Sequence, residues 1–184
     1  MLPPSHVAYT IAACDLLSQK IPDLKEIDYR LLALAAMGPD IIDKPLALLY
    51  FYRRYKAAVL FAHTLIVHLA VLGYTVWKWP RSWPYLLAFN GHALLDRLWF
   101  FPNTWYWPFL GWRFTVWDNH QEELGQAYWH AFTRRLDLLV WEVGGLLAAA
   151  WFVQRHRLYD PNRWWRLLRT GQVVYPGAAQ KDYK

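Results

Sequence analysis

The residues able to do chemistry are few in this chain, and they stand out by where they fall. His92 and Asp96 are four apart within an apolar run. On a helix that spacing puts both on one face, about 6 Å apart at the backbone. Such a pair binds one divalent metal, or the carboxylate orients the imidazole. The alternative is that Asp96 pairs locally with Arg97 while His92 hydrogen-bonds to a neighbouring helix. Asp40 and Asp43 follow Gly38-Pro39, three apart on a turn that could make a hard-cation or zinc corner. Against that, Asp40 could cap a helix and Asp43 could be a solvated loop acid. His63 and His68 are five apart, roughly 140° around a helix, so one could hold a metal while the other hydrogen-bonds elsewhere. His6 lies at a helix start and Glu142 in mid-span. An ionisable group inside an apolar span costs on the order of 2.5–3.5 kcal/mol, which marks each of these as a functional candidate. Together they are the inventory of a buried mono- or dinuclear metal centre. Nitrogen and oxygen donors without thiolate suit zinc, with manganese or iron as alternatives. Cys14, the single cysteine, reads as a packed apolar residue.

The elements that must position these groups are apolar and aromatic. The 184 residues carry 20 basic and 14 acidic side chains, a net charge of +6, and are 56% hydrophobic but only 18% charged. That balance excludes intrinsic disorder, and one cysteine excludes a disulfide scaffold. The mean hydropathy of +0.02 looks like a soluble protein. It is lowered by 13 Trp, 12 Tyr and 11 Pro, yet Trp and Tyr are enriched at bilayer interfaces. Residues 4–19 read as a helix and 20–30 as a loop. Residues 31–51 are apolar but broken at Gly38–Pro45, since proline forbids a regular helix there. Residues 57–77 hold no Asp, Glu, Lys or Arg and have the length of a membrane span. Residues 83–101 and 136–153 are two further span candidates, and 102–135 reads as a long loop with interfacial pieces. Trp77, Trp79, Trp83, Trp99 and Trp105 fall near the ends of these runs, as in an aromatic belt.

The expected fold is all-α, a polytopic helical membrane protein with about three to five membrane-embedded helices. Residues 1–154 form one helical domain, and 155–184 form a basic tail whose Trp164-Trp165 pair suits a headgroup layer. The tail's Trp and Leu content fits anionic lipid better than nucleic acid. Its arginines, and Arg53, Arg54 and Lys56, prefer the cytoplasm. No segment reads as a cleaved signal peptide, and Asp182-Tyr183-Lys184 reads as the start of an affinity tag. Asp118, His120, Glu122 and Glu123 form a polar cluster that could chelate, but in a loop they read as a solvated surface. No phosphate-binding loop, dinucleotide fingerprint or nucleophile elbow is present.

In their order along the chain, Ser5-His6, Gly38-Pro39-Asp40-Ile41-Ile42-Asp43, His63 with four residues to His68, Gly91-His92-Ala93-Leu94-Leu95-Asp96 and Trp107-Pro108-Phe109 resemble a known family. It is the family of inner-membrane, metal-dependent hydrolases, also described as LexA-binding and inner-membrane-associated. The match covers roughly residues 5–115, and its specificity lies in order and spacing. The arrangement is distantly similar to zinc-dependent phospholipase C. There are departures: Thr64-Leu65-Ile66-Val67 replaces an Arg-Gly-containing stretch, Phe100 a proline and Lys44 a histidine. They imply an altered metal site or a relative that has lost catalysis. The resemblance implies a bacterial inner-membrane hydrolase acting on a lipid or phosphoester-like substrate. In that scheme His6, Asp40, His63, His92 and Asp96 are the metal ligands. Asp43, His68 and Glu142 orient ligands or act as general base. Two other readings remain: a non-catalytic membrane subunit, in a larger complex or homo-oligomer, with a degenerate site, and a transport or proton-relay protein.

Overall fold

In the computed structural model, which describes residues 2–116 and 123–175, the described residues form helices and turns with no strand. Three of the expected cluster residues (Asp118, His120 and Glu122) and the terminal Asp182-Tyr183-Lys184 lie outside the described residues. The first helix, α1 (Pro3–Ser18), opens on two prolines, whose missing N–H groups cost nothing in a first turn. Helix α2 (Tyr29–Ala36) is capped by Asp28, whose carboxylate accepts from the backbone N–H of Arg30 at 2.8 Å.

The expected break at Gly38–Pro45 is a helix, α3 (Gly38–Leu46). Pro39 sits in its first turn, where it is tolerated, and the break falls just before it at Met37. The second proline, Pro45, stands near the other end, and a wider π-type turn at Ala47–Phe51 follows, leading into the short α4 (Tyr52–Tyr55).

The charge-free run 57–77 is not one helix. Lys56 takes a left-handed conformation and ends α4. Ala57, Ala58, Val59 and Leu60 are then buried in a non-helical connector, and a 3-10 turn at Phe61–His63 follows. Thr64 caps α5 (Leu65–Lys78). At 14 residues α5 is about 21 Å long, against a hydrocarbon core of about 30 Å. Helix α6 (Trp83–Leu95) ends at Asp96, and Arg97 turns left-handed (φ 52°) behind it.

Part of the expected loop 102–135 is also helical, as α7 (Pro102–Trp105) and α8 (Leu124–Arg134). Leu124, Ala127, Tyr128 and Ala131 recur at the three- and four-residue spacing of one helix face. Helix α9 (Leu136–Arg155) matches the third span candidate. It is the one helix among the described residues long and apolar enough to cross a membrane, and only 11% of its apolar window is buried. A core helix would be mostly buried.

Two packing devices hold this frame. First, α1 and α9 touch closely at Gly144 and Gly145. A side-chain carbon there would strike the Tyr9 hydroxyl and Ser5 respectively, so glycine is what admits the contact. Second, the C-terminal end folds back onto the helices. Helix α10 (Pro161–Thr170) ends at Gly171, whose carbonyl accepts from the Tyr29 N–H at 2.7 Å. The Arg30 guanidinium donates to the carbonyls of Leu168 and Arg169. Leu158 and Val173 join the core around Leu32 and Phe152. Beneath them Asp15, fully buried, meets His156 Nε2 at 2.8 Å and Arg155 Nε at 2.7 Å. The other ring nitrogen of His156 bonds the Val174 carbonyl at 3.0 Å. Removing one partner of a buried ion network leaves the rest uncompensated. Asp15→Ala should therefore lower unfolding stability by about 3–5 kcal/mol. Chemical denaturation followed by tryptophan fluorescence checks this, and a loss below about 1 kcal/mol would show that the network does not pin the tail.

Candidate metal centre

Four segments bring the expected ligands together. Helix α3 supplies Asp40, the 3-10 turn supplies His63, and the end of α6 supplies His92 and Asp96. One donor atom from each lies within 4.8 Å of all the others. Helix α1 adds His6, fully buried, with Nε2 3.0 Å from Asp96 Oδ1 and its ring stacked on His92 at 4.0 Å. Asp40 Oδ1 lies 3.5 Å from His63 Nε2 and 3.8 Å from His92 Nε2. The i,i+4 spacing of His92 and Asp96 survives at the helix end, with Nε2 3.3 Å from Oδ2.

The outward partners of the two central imidazoles decide what the inner atoms can do. His63 Nδ1 lies 2.6 Å from Asp43 Oδ2, and His92 Nδ1 lies 2.8 Å from the Ala36 carbonyl oxygen. Both partners only accept, so both Nδ1 atoms carry the proton. Each Nε2 then presents a lone pair inward, and the two Nε2 atoms are 3.2 Å apart. Two facing lone pairs flanked by two carboxylates repel unless a proton or a cation lies between them. Asp40 Oδ2 and His6 Nδ1 are also buried without a hydrogen bond, while Asp40 Oδ1 and His6 Nε2 meet their ion partners Lys44 and Asp96. These orphaned atoms, all nitrogen or oxygen, fit a divalent metal such as zinc, manganese or iron.

Asp43 serves the site indirectly. Its carboxylate accepts from the backbone N–H groups of Leu60 (2.8 Å) and Ala62 (3.0 Å) as well as from His63. It thus fixes both the connector and the imidazole, the arrangement of a carboxylate behind a metal-binding histidine. His68 stands apart from the four. Its Nδ1 meets Asn90 Oδ1 at 3.1 Å, and its ring lies between Phe89 and Trp105. Glu142 is also outside the ligand group. It accepts from the Leu2 N–H at 2.7 Å and from the Ser5 hydroxyl, tying the start of α1 to α9.

The sequence reading passed over the role of Lys44. Its Nζ lies 3.2 Å from Asp40 Oδ1 and 5.3 Å from the centre of the Tyr128 ring. Burial works against its charge, but Tyr128 and the carboxylates of Asp40 and Asp96 outweigh that and hold its pKa above the usual lysine value. Burial likewise pushes the Asp40 carboxyl up, and the neighbouring His63, then Lys44 and His92, overcome it, leaving the pKa below the usual carboxylate range. The available signal was the i,i+4 spacing of Asp40 and Lys44. His156 was also missed, although Asp15 in an apolar helix called for a buried partner.

A cavity of about 470 Å³ adjoins the centre, with Asp96 and Lys44 in its lining. Glu142, Arg97 and Arg135 also line it, among apolar residues that include Phe101 and Phe132. Scans against protein-family models, curated proteins and solved structures match nothing. Asp43→Asn replaces an all-acceptor carboxylate with an amide behind His63. It should weaken divalent-metal affinity by about ten- to a hundredfold, read by competition with a metal-indicating dye. An affinity within twofold of the wild type would remove the positioning role.

Proposed function

We propose that this protein is a membrane-associated, metal-dependent hydrolase acting on a lipid or phosphoester-like substrate. The observation that carries the reading is the convergence of two outward-anchored imidazoles, the buried Asp40 and the partly buried Asp96 on one point beside a cavity. Asp40, His63, His92 and Asp96 would hold the metal, zinc by donor type, with manganese or iron as alternatives. His6 would steady Asp96 or join the ligands. A divalent cation bound there supplies a water nucleophile of lowered pKa, toward about 7, and polarises the scissile group.

The chain's own residues do the rest. Asp43 keeps the His63 proton on Nδ1, so that Nε2 stays a donor of electrons. The Ala36 carbonyl does the same for His92. Phe101 and Phe132 give the cavity an apolar lining. Glu142 has its carboxylate engaged by Leu2 and Ser5, and it would act as a base only by releasing one of them. The resemblance of the Pro-Asp-x-x-Asp turn and of His92–Asp96 to inner-membrane hydrolases supports the same chemistry and a bacterial inner-membrane location. The exposed apolar surface of α9 supports a membrane setting, in which the shorter α5 and α6 would be embedded beside it.

One observation favours a second reading, a non-catalytic membrane subunit in a larger complex or homo-oligomer. Lys44 and the His6–Asp96 pair already compensate much of the buried charge, as in a site kept for structure. Metal content separates the two. Elemental analysis of the purified full chain should find about one or more equivalents of a transition metal, and His92→Ala should lose at least half of it. Absence of metal from the wild type, or unchanged content in His92→Ala, would sink the hydrolase reading.

A further inference from the structure

The cavity is asymmetric in a way that the metal ligands do not explain. Lys44, less exposed than the two arginines of the lining, is drawn to Asp40 and stands over the Tyr128 ring. Arg97 and Arg135 share Asp137 at 3.1 and 2.8 Å. Arg97 reaches that place through a left-handed backbone, which is unfavourable for a residue with a Cβ and persists only where the surroundings impose it. Its apolar lining includes Leu98, Phe101 and Phe132. A cavity lined by one sheltered cation, two more exposed guanidinium groups and apolar side chains suits an anionic head on an apolar body.

We propose that Lys44 is the anion-binding residue of this cavity, holding a phosphate group of the substrate against a single metal ion. The ammonium stands 3.2 Å from Asp40 Oδ1 and already sets a positive charge against that carboxylate. One metal and one lysine then supply the positive charge that two metals would. The inference rests on the metal-centre reading, because Asp96 and Glu142 also line the cavity and would repel a phosphate unless the metal offsets them. The more exposed Arg97 and Arg135 draw the anion in, and Lys44 receives it. Lysine suits this task as a compact point charge with rotatable donors.

The test uses the full chain in detergent, loaded with zinc and titrated calorimetrically with inorganic phosphate. Wild type should hold one zinc per chain and bind phosphate. Lys44→Met should keep the zinc and lose about tenfold or more in phosphate affinity, the size of one charge-assisted hydrogen bond. Should Lys44→Met fail to fold, Lys44→Gln makes the same comparison with a polar, uncharged side chain. Displacement of bound phosphate by detergent-dispersed phosphatidic acid, or by water-soluble glycerol phosphate, supports the site and tells which source fills it. Two zinc ions per chain, no phosphate binding to the zinc-loaded wild type, or a lysine variant that binds phosphate as wild type does, overturns the proposal while the metal centre stands. A wild-type chain that holds no zinc, manganese or iron overturns both.

Discussion

Asp40 is withdrawn from water and Asp96 largely so, among three imidazoles, and an uncompensated carboxylate there would cost several kcal/mol. Much of the local architecture answers that cost. The connector 57–60 gives up helical structure, and its Leu60 N–H, with that of Ala62, goes to Asp43, which then anchors His63. Helix α6 stops where Asp96 must turn back toward His92. Gly144 and Gly145 let α1 approach α9, and Ser5 and Glu142 lock the end that carries His6. The irregular backbone is concentrated around the buried charges, where local rules are expected to yield to a site.

A second buried carboxylate shows what a closed arrangement looks like. Asp15 is as deeply buried as Asp43, and His156 stands against it. Both ring nitrogens of His156, however, face acceptors, the Asp15 carboxylate and the Val174 carbonyl. Neither nitrogen is turned to an open ligand position, and Arg155 also meets the Asp15 carboxylate. At the other cluster His63 and His92 each use one nitrogen outward and keep the other inward. The same residue types thus build a structural pin in one place and an open ligand set in the other. Which of the two arises depends on what stands behind each imidazole.

The grouping of ligands was legible because it rested on residue type and short spacing: His92 with Asp96, and Asp40 with Asp43. Both pairs keep in the fold the nearness that their spacing implies. The all-α class and the helices α1 and α9 were legible from apolar runs of sufficient length. The run 57–77 misled because apolarity records burial, and a buried connector is as apolar as a buried helix. Its half-helical nature depends on Asp43, seventeen residues before Leu60 and invisible to any local pattern. Helix α8 was hidden by its aromatic and polar outer face, although Leu124, Ala127 and Tyr128 carried the period. Lys44 was noticed only as a departure from a motif. Its meaning comes from Tyr128 and Asp96, both remote in sequence.

The cavity and the apolar helix are parts of one arrangement. Arg135 stands just before the first turn of α9, and Leu138 and Glu142 follow on the face that lines the cavity. Leu136, Val140, Val143 and Leu147 on the same helix are exposed. In the proposed membrane setting the end of a spanning helix lies at the level of the headgroups, where arginine and tryptophan are favoured. Helix α10 has the composition for that same boundary, with Trp164, Trp165 and Leu168 half exposed beside three arginines, although it packs against α2 rather than beside the cavity. A lipid phosphate at the start of α9 would therefore meet Arg135 first and Lys44 next, while its chains stayed against apolar surface. The depth of the centre below that boundary, not the strength of any one ligand, would then set which substrates reach it.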